Sequence, residues 1–351
     1  MIDLDQQSVY KEIDKSNMLA ELQGLPGQLL EAWKLGLSYE IPSSNKFTNL
    51  IIAGMGGSAM GADLLASYVT PTCPIPIITL RDYRLPFWAE GSHVLVVASS
   101  HSGNTEETLS IYQQALVKKC SLMVISTGGE LARKAQKDSL PLWTFTHPGQ
   151  PRAAVGYSFG LLLALVMKLG LITDQTESVA LAAKAMVNLL GLININVPVK
   201  KNAAKRMAGQ LMNRWVTVIG ADYLLPVARR YKTQINELAK AWAQFESLPE
   251  ADHNTLAGIE KSQDVLSKIF VLFLSASSDH PRNQLRTKLT REEFVRAGLN
   301  TDVLKFQEEN PLAEIWTSLL FGDFLSYYLA IAYQIDPTPV EAIQNLKKAM
   351  L

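Results

Sequence analysis

The chain has 351 residues, 48% hydrophobic and 19% charged, and its 33 basic and 33 acidic residues give a formal net charge of zero. That balance excludes a disordered chain and offers no electrostatic footprint for nucleic acid or for an anionic membrane. The length allows two domains, each with its own core. The two cysteines, Cys73 and Cys120, stand in no metal-ligand spacing, and MIDLDQQSVYKEIDK has neither the charge nor the apolar core of a signal peptide. A reducing cytoplasm is therefore expected, with small molecules and further copies of the chain as partners.

Residues 3–35 carry helical periodicity interrupted at Pro26, and SSNKFTN leads into the first strand. Strands are then expected at 47–53, 75–79, 94–98, 122–125 and 142–145, with helices after Ser58, from Asn104 and from Glu130. Short apolar strands alternating with helices mean a parallel sheet covered on both faces. A helical stretch at 153–190 and a crossover at NINVPVKKN follow, and the pattern restarts. It gives strands at 216–219, 270–274 and 303–306, and helices at 224–245 and 292–297. Helices at 312–333 and 339–350, split at DPTP, end the chain. The domains expected are a helical preface at 1–44, an α/β domain at 45–192 and a second at 193–351 with the C-terminal helices. The most apolar helical runs, 160–167 and 325–332, are short or broken by Lys168, Gln334 and Asp336, so they read as core helices rather than membrane spans.

Two loops carry the functional signal. GMGGSAMG at 54–61 fits the dinucleotide fingerprint through Gly54, Gly56 and Ala59, with Asp82 placed for a ribose. The same glycines suit any loop whose backbone must approach a ligand, or a tight turn alone. VVASSHSGNTEETLSIY at 96–112 crowds Ser99, Ser100, Ser102 and Thr105 onto a strand-to-helix turn, where free N–H groups and the helix dipole favour phosphate. Ser102 or Asn104 alone would suffice as a helix cap. A dinucleotide site does not need the second loop, whereas a sugar phosphate needs both. Phosphate is therefore expected on Ser100, Ser102 and Thr105, with the sugar over Gly56, Gly57 and Ser58. Arg152 opens a helix, where the dipole disfavours a cation, which suggests an anion nearby. Taken alone, Glu237 reads as a helix glutamate paired with Lys240 at i,i+3, and His253 as a loop histidine. His93, His147 and His280 show no metal spacing, and His101, inside the hydroxyl loop, either touches ligand or faces away.

GMGGSAMG, SSHSGNTEET, PRAAVGYSFG, QINELAKAWAQFESLPEADHN and the terminal DPTPVEAIQNLKKA, in that order, resemble the bifunctional phosphoglucose/phosphomannose isomerases over nearly the whole chain. The resemblance implies two SIS-type (sugar-isomerase; Rossmann-like, parallel-sheet) α/β domains with an N-terminal helical preface and C-terminal helices. It implies interconversion of glucose 6-phosphate and fructose 6-phosphate, and of mannose 6-phosphate, through ring opening and a cis-enediolate, with neither metal nor cofactor. It makes Glu237 the proton-transfer base, has His253 open the ring from across a homodimer interface, and gives Arg152 the enediolate charge. It also brings a C-terminal threonine and lysine to the site, matched by Thr338 and by Lys347 in preference to Lys348. Leu238 stands where this family is expected to carry a polar residue. Two rivals are a non-catalytic sugar-phosphate sensor, which has no need of Glu237 and His253, and an NAD(P)-dependent oxidoreductase, which leaves the hydroxyl loop without work.

Overall fold

The computed structural model describes residues 2–41, 46–261 and 263–350. Its contacts divide the chain into two compact units, Gly24–Ala183 and Met1–Gln23 with Lys184–Leu351. The expected preface is therefore split: α1 (Gln7–Ile13) and α2 (Met18–Gln23) fold with the second unit, and α3 (Leu25–Ser38) with the first. The expected boundary at residue 44 lies outside the described residues, as do Ser43, Ser44 and Asn45 of SSNKFTN. The interruption expected at Pro26 falls at Gly24, between α2 and α3; Pro26 itself follows just after it. It sits in the first turn of α3, where a missing N–H costs nothing.

In the first unit, β1 (Asn49–Ala53), α4 (Gly56–Val69), β2 (Ile77–Leu80), β3 (Val94–Ser100), α5 (Glu106–Val117), β4 (Ser121–Ser126), α6 (Gly129–Lys137), β5 (Leu142–Thr144) and α7 (Val155–Lys168) follow in order. The five strands form a parallel sheet ordered β2-β1-β3-β4-β5. All seven residues of β3 are buried. That is why its apolar run shows no alternation: helices cover both faces. On one face Val94, Val96 and Ala98 pack with Ile111, Tyr112 and Leu131. Ala53 pairs with Ala98, and Ser100 with Ser126, so the loops leaving β1, β3 and β4 emerge side by side at the carboxyl edge.

The chain passes into the second unit within α8 (Thr176–Ile193). There follow α9 (Ala203–Leu211), β6 (Trp215–Gly220), α10 (Leu225–Leu238), β7 (Ala243–Ser247), α11 (Gln263–Leu266), β8 (Ile269–Ala276), α12 (Pro281–Arg296), β9 (Asn300–Phe306), α13 (Pro311–Ala332) and α14 (Glu341–Ala349). The second sheet is parallel, ordered β7-β6-β8-β9. Helix α13 is buried along its length and forms the core of this unit. By length and composition α8 and α13 are apolar enough to cross a membrane, and the whole apolar window of α13 is covered by protein, as expected of a core helix. Asp14 ties the N-terminal helices to it: the carboxylate accepts from the N–H groups of Met18 and Leu19 and from the Tyr327 hydroxyl.

Two expected elements differ. The helix expected at 224–245 ends at Leu238; Lys240 follows with φ +53°, a left-handed stop, and 243–247 form the edge strand β7. The helix expected at 292–297 begins at Pro281, capped by His280, whose Nδ1 accepts from the Arg282 N–H.

Candidate active site

The candidate residues fall in both units, and each set is built within its own. In the first unit, α4 begins at Gly56, with φ +51°, so Gly57 and Ser58 lie in its first turn. A Cβ on Gly57 would stand 2.3 Å from the carbonyl oxygen of Pro151. The absence of a side chain lets the 3-10 turn Pro151–Ala153 rest on the glycine loop, and that turn carries Arg152. Gly56, the second glycine of the dinucleotide fingerprint, has nothing within 4 Å of its Cβ position, so the Pro151 carbonyl covers only its neighbour Gly57. Asp82 is exposed and accepts from the N–H of Tyr83.

The hydroxyl loop is locked from its other side. Gly103, at φ +68°, has no room for a Cβ, which would lie 1.9 Å from the Gly128 carbonyl oxygen of the β4 loop. Thr127 donates its N–H (3.2 Å) and Oγ1 (2.6 Å) to the His101 carbonyl, and the Leu131 N–H donates to the Gly103 carbonyl at 2.9 Å. Within the loop, Ser100 Oγ lies 2.8 Å from Thr105 Oγ1 and accepts from the Gly103 N–H at 3.1 Å, while Ser102 Oγ accepts from the Asn104 N–H at 3.2 Å. Ser99 and Ser100 are buried, Thr105 is half-buried and Ser102 is exposed. Thr105 is the N-cap residue of α5, yet its side chain makes no capping bond. The hydroxyls are thus not spent on capping, and Ser102 and Thr105 remain at the sheet edge.

Arg152 is 6% exposed, and its guanidinium reaches Gln150 Oε1 at 3.5 Å. His147, which shows no metal spacing in the sequence, packs against His101 of the hydroxyl loop. Its Nδ1 lies 3.1 Å from His101 Nε2, and the two rings pack edge-on with Phe145 and Tyr157. The pair is 46 residues apart in the chain, and no local spacing signals it.

In the second unit, Glu237 is half-buried in the last turn of α10. It lines a cavity of about 580 Å³ with Asn236, Lys240, Asp336, Pro339 and Val340. Lys240 Nζ donates to the carbonyls of Glu237 (2.6 Å), Leu238 (3.3 Å) and Pro337 (3.3 Å), which fastens the DPTP segment to the end of α10. Thr338 in that segment is buried, and its N–H donates to Asp336 Oδ1 at 2.9 Å. Leu238 points into the core, fully buried, so its apolar character does not alter the cavity. His253 ends the 3-10 turn Glu250–His253 with its side chain exposed. Its neighbour Asp252 pins that turn to α12 through Arg286 at 2.7 Å and Thr290 at 2.6 Å. Neither His253 nor Lys347 nor Lys348 lines the Glu237 cavity. Both lysines lie exposed in the last turn of α14, where cations suit the helix dipole.

The family model of the bacterial phospho-glucose isomerase C-terminal SIS domain matches residues 200–350. The chain is 38% identical over 337 residues to a bifunctional phosphoglucose/phosphomannose isomerase of Caldicellulosiruptor bescii, covering 95% of this chain and 98% of the relative. It is 28% identical to a protein of the same description from Aquifex aeolicus, covering 87% and 91%. In fold it is similar to the C-terminal domain of glucosamine-fructose-6-phosphate aminotransferase from Francisella tularensis, at TM-score 0.75 and 15% identity, over 92% of this chain and 98% of that one. With two parallel sheets of SIS type, a hydroxyl loop at one carboxyl edge and a carboxylate cavity in the other unit, this chain belongs to the bifunctional phosphoglucose/phosphomannose isomerase family of sugar-phosphate isomerases.

Proposed function

We propose that the protein interconverts glucose 6-phosphate and fructose 6-phosphate, and also takes mannose 6-phosphate, by metal-independent proton transfer. The observation that carries this reading is the glycine-locked hydroxyl loop, which leaves Ser102 and Thr105 at the sheet edge with no capping duty. Ser102, Thr105 and the N-terminal amides of α4 and α5 hold the phosphate, Ser100 sets the Thr105 hydroxyl, and the sugar lies over Gly56, Gly57 and Ser58. The phosphate does not react. Its binding energy orients the carbons that do.

His253 opens the ring by moving a proton between the anomeric hydroxyl and the ring oxygen. The Glu237 carboxylate then takes the proton from C2 of the open aldose, and the C2–H electrons form the C1–C2 double bond of a cis-enediolate. Arg152 faces the negative oxygen so formed. Glu237 returns its proton to C1 while the O2 hydroxyl proton passes to O1 and the C2 carbonyl forms, which gives the ketose. Proton removal at C2 erases the configuration that separates glucose from mannose, so one base serves both epimers. The reading also assigns Thr338 and Lys347 to the reacting end, although Lys347 stands exposed on α14 and does not line the Glu237 cavity. The reading includes a homodimer in which His253 is contributed by the partner copy, in keeping with its exposed position away from the Glu237 cavity. The place of action is the cytoplasm.

The test is a coupled assay of fructose 6-phosphate and mannose 6-phosphate conversion with chelator present, wild type beside Glu237→Gln. Turnover that survives chelation and falls by at least about 10³-fold in the variant supports the reading. A wild type that binds sugar phosphate without converting it makes the protein a sensor.

A further inference from the structure

The second sheet repeats four strands of the first in the same order, β7-β6-β8-β9 against β2-β1-β3-β4. The loop after β8 therefore stands where the hydroxyl loop stands after β3. Its serines are already engaged. The N–H groups of Ser277 and Ser278 donate to the Glu314 carboxylate at 3.0 and 3.2 Å, and both serine hydroxyls donate to the same carboxylate. Glu314 is buried in the first turn of α13. A resident carboxylate occupies this loop, so the second unit does not hold a second copy of the phosphate loop.

Beside that loop, toward the edge strand β9, opens a cavity of about 490 Å³ between α12 and the ends of β8 and β9. Thr287, Lys288, Arg291 and Lys305 line it. Among the described residues none of these three cations has a carboxylate partner. Arg291 spends only its Nε, on Thr301 Oγ1 at 3.1 Å. Glu292, also at the lining, lies 3.9 Å from Arg296 on the same helix. Three like charges around one space repel each other, and a bound polyanion reverses the sign of that interaction. The volume is that of a small-molecule site, and its position at the carboxyl ends of parallel strands is where such folds bind ligands.

We propose that this cavity is a second ligand site, distinct from the residues assigned to isomerisation, which takes a small phosphate-bearing polyanion on Lys288, Arg291 and Lys305. The proposal does not depend on the isomerase reading. It is tested by calorimetric titration of inorganic pyrophosphate into the full chain at low salt, comparing wild type, the Lys288→Gln/Lys305→Gln double variant and Ser102→Ala. Hydrogen exchange of α12 and β9 is followed in parallel. The result expected is pyrophosphate binding that protects α12 and β9, weakens at least tenfold in the double variant and persists in Ser102→Ala. Equal binding in wild type and double variant, loss in Ser102→Ala only, or no protection of α12 and β9 overturns the proposal. Citrate binding as tight as pyrophosphate overturns the assignment to phosphate.

Discussion

At Gly57 a single hydrogen in place of a methyl decides whether Arg152 reaches the glycine loop, because the Pro151 carbonyl occupies the space of a Cβ. Gly57→Ala is expected to cost about 1–3 kcal/mol in overpacking and to lower kcat/KM at least tenfold by pushing the Arg152 turn away. Gly209→Ala, on α9 with open space around its Cβ position, serves as the contrast and is expected to gain about 0.5–1 kcal/mol with activity unchanged. Urea midpoints and steady-state kinetics measured side by side check both. Asp279 makes a prediction in pH. Burial pushes its carboxyl up to about 7; the Ala276 N–H opposes the rise, and Asp222 and Glu314 add to it. A carboxyl raised in the folded state favours folding while protonated, so its contribution is complete below about pH 4 and is lost as pH climbs toward 7. Asp279→Asn keeps the acceptor for Ala276 and cannot ionise. Relative to wild type it is expected to be more stable at pH 8 than at pH 4, by about 1.4 kcal/mol for each unit of the rise. Equal pH slopes for the two proteins would contradict this.

At the scale of elements, α10 carries the proposed base and is held by a buried lock. Arg230 donates to both oxygens of Asp323 on α13, at 3.0 and 2.7 Å, and Gln234, one turn on, donates to the same carboxylate at 3.0 Å. Removing one partner of a buried pair strands the other, so Asp323→Ala is expected to lose about 3–5 kcal/mol, whereas Arg230→Met/Asp323→Leu recovers most of it. Denaturant curves of the three proteins read this directly. Elements were legible in the sequence where burial is two-sided. The run at 94–98 could only be a covered strand, and β3 is one. They were illegible where the buried face is polar. Helix α12 buries Thr287, Thr290 and Phe294 and exposes Leu285 and Leu289, so hydrophobic periodicity fails to mark its first half. Strand β7 was absorbed into α10 because AQFES sits at a sheet edge with one fully buried residue, and its boundary is a left-handed lysine rather than a glycine.

At the scale of the molecule, one scaffold is used twice with opposite outcomes. Gly54 follows β1 and Gly220 ends β6, the first strand of each sheet, and two residues later the backbone turns left-handed, at Gly56 with φ +51° and at Asp222 with φ +44°. The first unit keeps glycine at that turn and, among the described residues, no carboxylate in the hydrogen bonds of its hydroxyl loop; the second places Asp222 at the turn, and Glu314 fills its serine loop. The proposed homodimer makes its own prediction. Glu237→Gln and His253→Ala, each inactive alone, are expected to recover about a quarter of wild-type turnover when co-expressed, since half the dimers are mixed and each mixed dimer holds one intact pair. If co-expression restores nothing beyond the sum of the two variants, His253 is not contributed by the partner copy.

The sequence by itself determined the parallel α/β architecture, its restart in the second half and the two loops at the carboxyl edge of the first sheet, because these follow from local burial pattern and turn chemistry. It also supplied the family, through motifs spread over the chain. Only the tertiary structure decided that α1 and α2 fold with the second unit, that His147 meets His101, that Gly57 yields to Pro151, and that Glu314 occupies the second serine loop. Each of these joins residues far apart in the chain or chooses among equal local readings, and such choices are made by packing, which no short stretch of sequence encodes.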